Sequence, residues 1–288
     1  MAISNNILPE DDVYLFFSFD LVNSTKMKTL KTENKNWYSV FKCFYDKSYK
    51  LMYDSFNASV WKISGDEVLF YRYLKSYTDI NNLLSTLTIV KQELEKELSE
   101  RFTSYTPLNV KITVWTGFVH FVEEDSIDDI SKYENIGFNV SFGDSFSIDF
   151  LGTDIDTGFR IAKYTDLNVI TLSIRLVYLL QNYSKELNRD NTKIVNYRIL
   201  KGVWNNNYYP IIWYLSDWNN FSTKYFAHKD NEELENCKFQ HIDNCDKNII
   251  IQVLEEQKCI DDYKDFFGIA KKSIETENMT WNNIPCTN

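Results

Sequence analysis

The sequence predicts an α+β fold, a mainly antiparallel sheet with helices packed on one face, followed by a C-terminal appendage. Three observations predict it. Segments of β and helical pattern follow in the order strand, helix, hairpin, helix, strand, helix, strand, helix, paired strands. The 288 residues are 44% apolar and 16% aromatic, enough for a substantial core, and only 8 Gly and 4 Pro interrupt regular structure. Beyond Leu215 the composition turns to Asn, Asp, Lys and Glu. We therefore divide the chain into an N-terminal extension (1–12), one domain (13–215) and an appendage (216–288).

The first strand is residues 13–19, a continuous β-branched and aromatic run that ends in the carboxylate Asp20. Trp37, Val40, Phe41, Phe44, Tyr45, Tyr49 and Met52 recur every three or four residues, the stripe of an amphipathic helix over 35–55. Two β-prone runs, 59–63 and 67–73, flank Ser64-Gly65-Asp66, so a hairpin carries Asp66 at its tip. Leu83, Leu84, Leu87, Val90, Leu94 and Leu98 predict a second long helix over 79–102, and Pro107 separates it from a strand over 110–119. Residues 123–129 carry five acids and no base, the composition of a solvated loop. A short helix (156–164), a strand (168–171), a helix (174–182) and a β-pair (194–200 and 208–215) around Lys201-Gly202 complete the domain.

Charge and composition exclude several classes. With 31 Lys and Arg against 41 Asp and Glu, the net charge of −10 argues against a protein that coats nucleic acid. The longest apolar stretches, 13–19 and 169–180, are too short for a membrane span or, in the second case, interrupted by Arg175. The opening MAISNNILPEDD has neither the basic nor the apolar region of a secretion signal, so a cytoplasmic location is the expectation. Five widely spread cysteines without a CxxC fit reduced thiols. Cys237, His241 and Cys245 fall at helical spacing, with Cys259 or His228 as a fourth ligand for zinc; a plain packed helix explains that spacing better.

The chemistry is carried by carboxylates. Asp20 at a strand end and Asp66 on a hairpin tip would lie side by side in such a fold. Two such groups can share a pair of Mg²⁺ or Mn²⁺ ions, because hard cations take a few anionic oxygens plus the phosphates of a substrate. Singly, an Asp in either place is more often a cap or an Asx-turn.

These residues resemble those of the class III nucleotide cyclases. Phe19-Asp20-Leu21 through Thr25 is similar to the family's first metal motif, and Lys62-Ile63-Ser64-Gly65-Asp66 to its Lys-x-x-Gly-Asp hairpin. Asp149, Gly152, Asp156 and Arg160 reproduce the spacing of its base-reading Asp, following Gly, Asn and transition-state Arg, with Asp156 where Asn is usual. Lys201-Gly202 resembles its phosphate-binding Lys-Gly. The resemblance spans about residues 13–215.

That resemblance implies a palm-like, ferredoxin-like catalytic domain that turns a nucleoside triphosphate into a 3′,5′-cyclic nucleotide and diphosphate. Asp20, Asp66 and the Leu21 carbonyl would hold two divalent cations, Mn²⁺ or Mg²⁺. A homodimer would form two sites, each combining Asp20 and Asp66 of one copy with Lys62, Asp149, Asp156, Arg160 and Lys201 of the other. Arg160 and Lys201 would neutralise charge growing on the phosphoryl oxygens. Ser64-Gly65-Asp66-Glu67 also resembles the Gly-Gly-Asp/Glu-Glu-Phe turn of diguanylate cyclases, from which Ser64 and Val68 depart.

Lys62 offers a donor and Asp149 an acceptor, a pair that suits adenine, uracil or cytosine and is awkward only for guanine. Residues 17–26 and 61–70 are similar to the pyrimidine cyclases of the bacterial Pycsar anti-phage systems, which implies cyclic UMP or cyclic CMP as a messenger for a separate effector. Bulky Trp61, Phe150 or Tyr71 would narrow the pocket to a single ring. An adenylate cyclase, and a degenerate cyclase fold that only binds nucleotide or a partner, stay open as alternatives.

Overall fold

Strand β1 (Asp12–Leu21) lies inside the sheet and is covered on both faces, which is why its apolar run shows no alternation. Val13, Leu15, Phe17 and Phe19 enter the main core, while Tyr14 and Phe16 enter a second cluster on the opposite face. The structure is a computed structural model and describes residues 11–29, 37–74, 78–105, 107–123, 130–142, 145–184, 187, 191–216, 243–245, 247–256 and 260–281.

A short helix, α1 (Ser24–Thr29), follows β1, and the striped α2 (Trp37–Phe56) buries Val40, Phe41, Phe44 and Met52 in the main core. The hairpin β2 (Ser59–Ser64) and β3 (Glu67–Tyr73) forms as expected, with β3 antiparallel to β1 and Glu67 opposite Asp20. The second long helix is divided. Asn82 leaves the helical conformation, separating α3 (Thr78–Asn81) from α4 (Leu83–Arg101). Strand β4 (Val110–Phe121) pairs along the other side of β1.

Next comes a hairpin absent from the sequence reading, β5 (Asn135–Phe142) and β6 (Ser145–Gly152). The signal was present: Ile136, Phe138, Val140 and Phe142, then Phe146, Ile148 and Phe150, alternate with polar residues around Gly143-Asp144. Helix α5 (Thr153–Ala162) starts directly after β6, three residues earlier than expected, and is followed by β7 (Ile170–Leu172), α6 (Ile174–Tyr183), β8 (Thr192–Ile199) and β9 (Tyr208–Tyr214).

Beyond residue 215 the described parts are β10 (Asp243–Asn244), α7 (Lys247–Glu256) and α8 (Ile260–Trp281). Strand β10 pairs with β8, and Ile250, Leu254, Tyr263 and Phe266 join the main core. Cys245 is buried just after β10, so the helical spacing expected through Cys237, His241 and Cys245 does not hold at its end; Cys237, His241, His228 and Cys259 lie outside the described residues.

The strand order is β10-β8-β9-β7-β4-β1-β3-β2, with β5 on β4 and β6 on β5. All pairings are antiparallel except β4 with β7 and β4 with β5. Helices α2 and α4 cover one face. Helix α5 lies on the other, with Ile155 and Phe159 against Phe16 and Trp115, so the expected one-sided layering is incomplete. Glycine permits its approach. A Cβ at Gly158 would stand 2.2 Å from the Trp115 ring, and one at Gly117 would stand 2.7 Å from Asp154. Among the described residues no helix is long and apolar enough to cross a membrane.

Candidate active site

The end of β1 and the β2–β3 turn are tied by backbone: Leu21 N–H donates to the Asp66 carbonyl at 3.0 Å. This sets Asp20 and Asp66 on the wall of one open cavity of about 510 Å³, with Leu21, Ser24, Thr25 and Lys111 among its other residues. The Ser24 hydroxyl donates to Asp66 Oδ2, and Ser18 donates to Glu67 Oε1 at 2.5 Å. Burial, then Asp66, then Glu67 push the Asp20 carboxyl up to about 6, against the pull of Lys111. The negative charge here is thus only partly compensated. Half-buried hard oxygens in that state are the donor chemistry that Mg²⁺ or Mn²⁺ takes, so Asp20 and Asp66 fit such ions. Among the described residues no group of three or more His, Cys, Asp or Glu is placed to hold a metal.

A second cluster is built on an irregularity. Pairing of β2 with β3 shifts register between Val60 and Lys62, a bulge that leaves Trp61 without its own partner. Trp61 and Lys62 consequently reach the same carboxylate. Lys62 Nζ donates to Asp149 Oδ1 at 3.0 Å and Trp61 Nε1 donates to the same oxygen at 2.8 Å. The Phe150 N–H adds a third bond at 2.9 Å. Burial works to raise the Asp149 carboxyl, but these bonds outweigh it and hold the group below its ordinary range. Lys62 Nζ also sits 4.1 Å from the centre of a Trp61 ring. Phe150, 1% exposed, packs under Trp61 with Tyr71 against it, so it supports this cluster and does not line an open pocket.

A third group sits on α5 and the turn after β8. Asp156 and Arg160, one turn apart, approach to 4.0 Å. A Cβ on Gly202 would stand 3.4 Å from Arg160 Nη2, which puts the Lys201-Gly202 turn beside the guanidinium. Arg160 Nε is buried without a partner. Lys201 is exposed.

These groups lie on a fold that other proteins share. Two solved structures resemble the chain: the guanylyl cyclase Cya2 (14% identity, TM-score 0.52, 72% of this chain and 93% of that one) and the adenylyl cyclase CyaB from P. aeruginosa (12% identity, TM-score 0.54, 73% and 97%). The fold is that of the class III nucleotide cyclase domains. No family model matches the sequence, and no curated protein does, so the likeness is one of architecture.

On this cyclase fold the chain brings its sequence-chosen residues together in three groups. Asp20, Leu21 and Asp66 share one cavity; Lys62, Trp61 and Asp149 form one bonded cluster; Asp156, Arg160 and Lys201 gather around α5. None of Lys62, Asp149, Asp156, Arg160 or Lys201 lines the Asp20–Asp66 cavity. Sequence reasoning missed Ser24, which holds Asp66, and the bond from Trp61 to Asp149. Ser24 was findable as a hydroxyl four residues after Asp20; the Trp61 bond depends on a bulge that no spacing announces.

Proposed function

We propose that the protein is a nucleotide cyclase that converts UTP, or in second place CTP, to the 3′,5′-cyclic monophosphate and diphosphate. The observation that carries this reading is the carboxylate pair: Asp20 and Asp66, 46 positions apart in sequence, line one cavity in a state that calls for cationic partners. Asp20, the Leu21 carbonyl and Asp66 would hold two Mn²⁺ or Mg²⁺ ions, which when bound acidify the ribose 3′-hydroxyl and steady the triphosphate.

The remaining roles belong to the chain. Lys62 donates to a base carbonyl or ring nitrogen, while Asp149, its Oδ1 already taken by three donors, accepts from a base N–H through Oδ2. Arg160 and Lys201 face the phosphoryl oxygens as the α-phosphorus is attacked and diphosphate leaves, an electrostatic contribution that grows with the charge. Asp156, in place of the usual Asn, orients Arg160 from one turn away. Because neither base-reading nor phosphate-binding residues line the carboxylate cavity, a homodimer with two composite sites accounts for the arrangement best.

Trp61 is itself 7% exposed and its N–H is taken by Asp149, so the preference for a pyrimidine rests on the similarity of residues 17–26 and 61–70 to pyrimidine cyclases. A second reading, cyclic AMP from ATP, is favoured by the Lys62–Asp149 pair itself, which also matches the N1 and amino group of adenine. The similarity of residues 17–26 and 61–70 to Pycsar cyclases supports a role in anti-phage defence, in which the cyclic product activates a separate effector. Incubating the protein with Mn²⁺ and each of ATP, GTP, CTP and UTP, with products separated against cyclic and linear standards, tests the reading. Cyclic UMP or cyclic CMP supports it, cyclic AMP replaces it with the second, and absence of every product overturns both.

A further inference from the structure

Arg175, on α6, is 6% exposed and is held from two sides. On one side its guanidinium bonds Asp154 Oδ2 at 2.6 Å and Glu134 at 2.8 Å. On the other, the rings of Tyr263 and Phe266 from α8 stand 5.3 and 5.2 Å from its Cζ. Arg175 is thus paired by two carboxylates on one side and covered by two rings on the other, and the five side chains pack as one unit.

Asp154 is in the first turn of α5, the helix that carries Asp156 and Arg160. Its other bonds fix that turn to the sheet: Asn135 Nδ2 donates to its carboxylate at 2.8 Å, and its own N–H donates to Asn135 Oδ1 at 3.0 Å. One turn further on, Gly158 rests directly on Trp115. The seat of α5 is therefore set at two points, and Arg160 follows it. A cavity of about 260 Å³ touches Asp154, Thr157, Arg175, Trp204 and Tyr263, joining α5, α6, α8 and the turn that follows Lys201-Gly202.

We propose that Arg175 is a positioning residue for Arg160, and that α8 completes its seat through Tyr263 and Phe266, so that docking of the C-terminal helix sets the rate of the chemical step. The proposal rests on the cyclase reading above. It makes a directional statement: the base is read by Lys62 and Asp149 on β2 and β6, outside α5 and α8, whereas Arg160 on α5 acts on charge that develops only in the transition state.

The test uses the full-length protein and its Tyr263→Ala/Phe266→Ala variant, compared with the ring-preserving Tyr263→Phe/Phe266→Tyr pair. Amide hydrogen exchange over 153–162 and steady-state kinetics with the preferred nucleotide are the two readouts. In the alanine variant, exchange over 153–162 is expected to rise while β2 and β3 stay protected, and kcat to fall on the order of 100-fold with KM little changed. The ring-preserving pair, which keeps both rings beside the guanidinium, should lose far less than the alanine variant. Unchanged exchange over 153–162 in a folded alanine variant overturns the proposal, as does a loss carried by KM or one shared by the ring-preserving pair. If the alanine variant fails to fold, Phe266→Leu alone carries the same readouts. A wild type inactive with all four nucleotides breaks the cyclase reading itself, and the exchange data then report separately whether α8 seats α5.

Discussion

Asp20 and Asp149 are both partly buried carboxylates on neighbouring parts of one domain, yet they are driven in opposite directions. Asp20 meets Asp66 and Glu67, and its carboxyl rises to about 6. Asp149 meets Lys62, Trp61 and the Phe150 N–H, and its carboxyl falls below the ordinary range. The difference teaches what each half of the site lacks. The Asp149 cluster is compensated within the chain, by three donors on one carboxylate oxygen. The Asp20 cluster gathers carboxylates whose charge the chain balances only in part.

The sharpest way to break this contrast is to remove the unbalanced charge. Asp20→Ala or Asp66→Ala is expected to lower turnover with Mn²⁺ by at least about 10³-fold, because the ions that activate the nucleophile lose an anionic ligand. Melting curves should show the fold retained. Turnover near wild type in both variants would remove the pair from the mechanism. Mixing Asp20→Ala with Arg160→Ala chains then asks whether the halves meet across a dimer. Random pairing gives half heterodimers, each with one intact site, so activity should recover to about a quarter of wild type from two nearly inactive parents. No recovery would place the whole site within one chain.

Lys62→Ala attacks the complete half. It leaves Asp149 with two of its three donors and deprives the base of its donor, so kcat/KM should fall about 10- to 100-fold, with preference among the four nucleotides flattened. A loss equal for all four would make Lys62 a phosphate contact.

Much of this was legible in the sequence for a physical reason. Asp20 and Asp66 sit at strand ends, where an unbroken apolar run or a Gly-bearing hairpin fixes the backbone and so places one side chain. The strand over 13–19, the helix over 35–55 and the 59–73 hairpin were readable because their side chains meet the core with a regular period. The β5–β6 hairpin went unread despite its alternation because its outward residues are Asn, Ser and Asp, a composition shared with loops. Two further features depend on contacts between distant segments, which one-dimensional patterning does not encode: the Trp61 bulge, and the seating of α8 on Arg175.

Stability offers a smaller but cleaner view of the contrast, since it needs no substrate. Asp20 has a folded value near 6 against an ordinary 3.8. The folded state therefore favours the neutral acid. That advantage is present in full below about pH 4 and is lost as pH rises through 6. Asp20→Asn should stabilise the metal-free protein at pH 7 by on the order of 1 kcal/mol and leave it unchanged at pH 4. Millimolar Mn²⁺ should raise the wild-type melting temperature and not that of the variant. An equal response to Mn²⁺ in both would put the cation elsewhere.

The smallest expected effect tests the complete half at its least obvious member. Trp61→Phe keeps an aromatic ring against Phe150 and beneath Lys62 but deletes the indole N–H, one of three donors on Asp149 Oδ1. Lys62 and the Phe150 N–H still hold the carboxylate, so only one hydrogen bond's worth of orientation is lost. KM for the preferred nucleotide should rise about 3-fold with kcat unchanged. The decisive comparison is between bases. If Trp61 aims Oδ2 at a particular base N–H, the rise is larger for that nucleotide than for the others, whereas a uniform rise would reduce Trp61 to packing and return base choice to Lys62 and Asp149 alone.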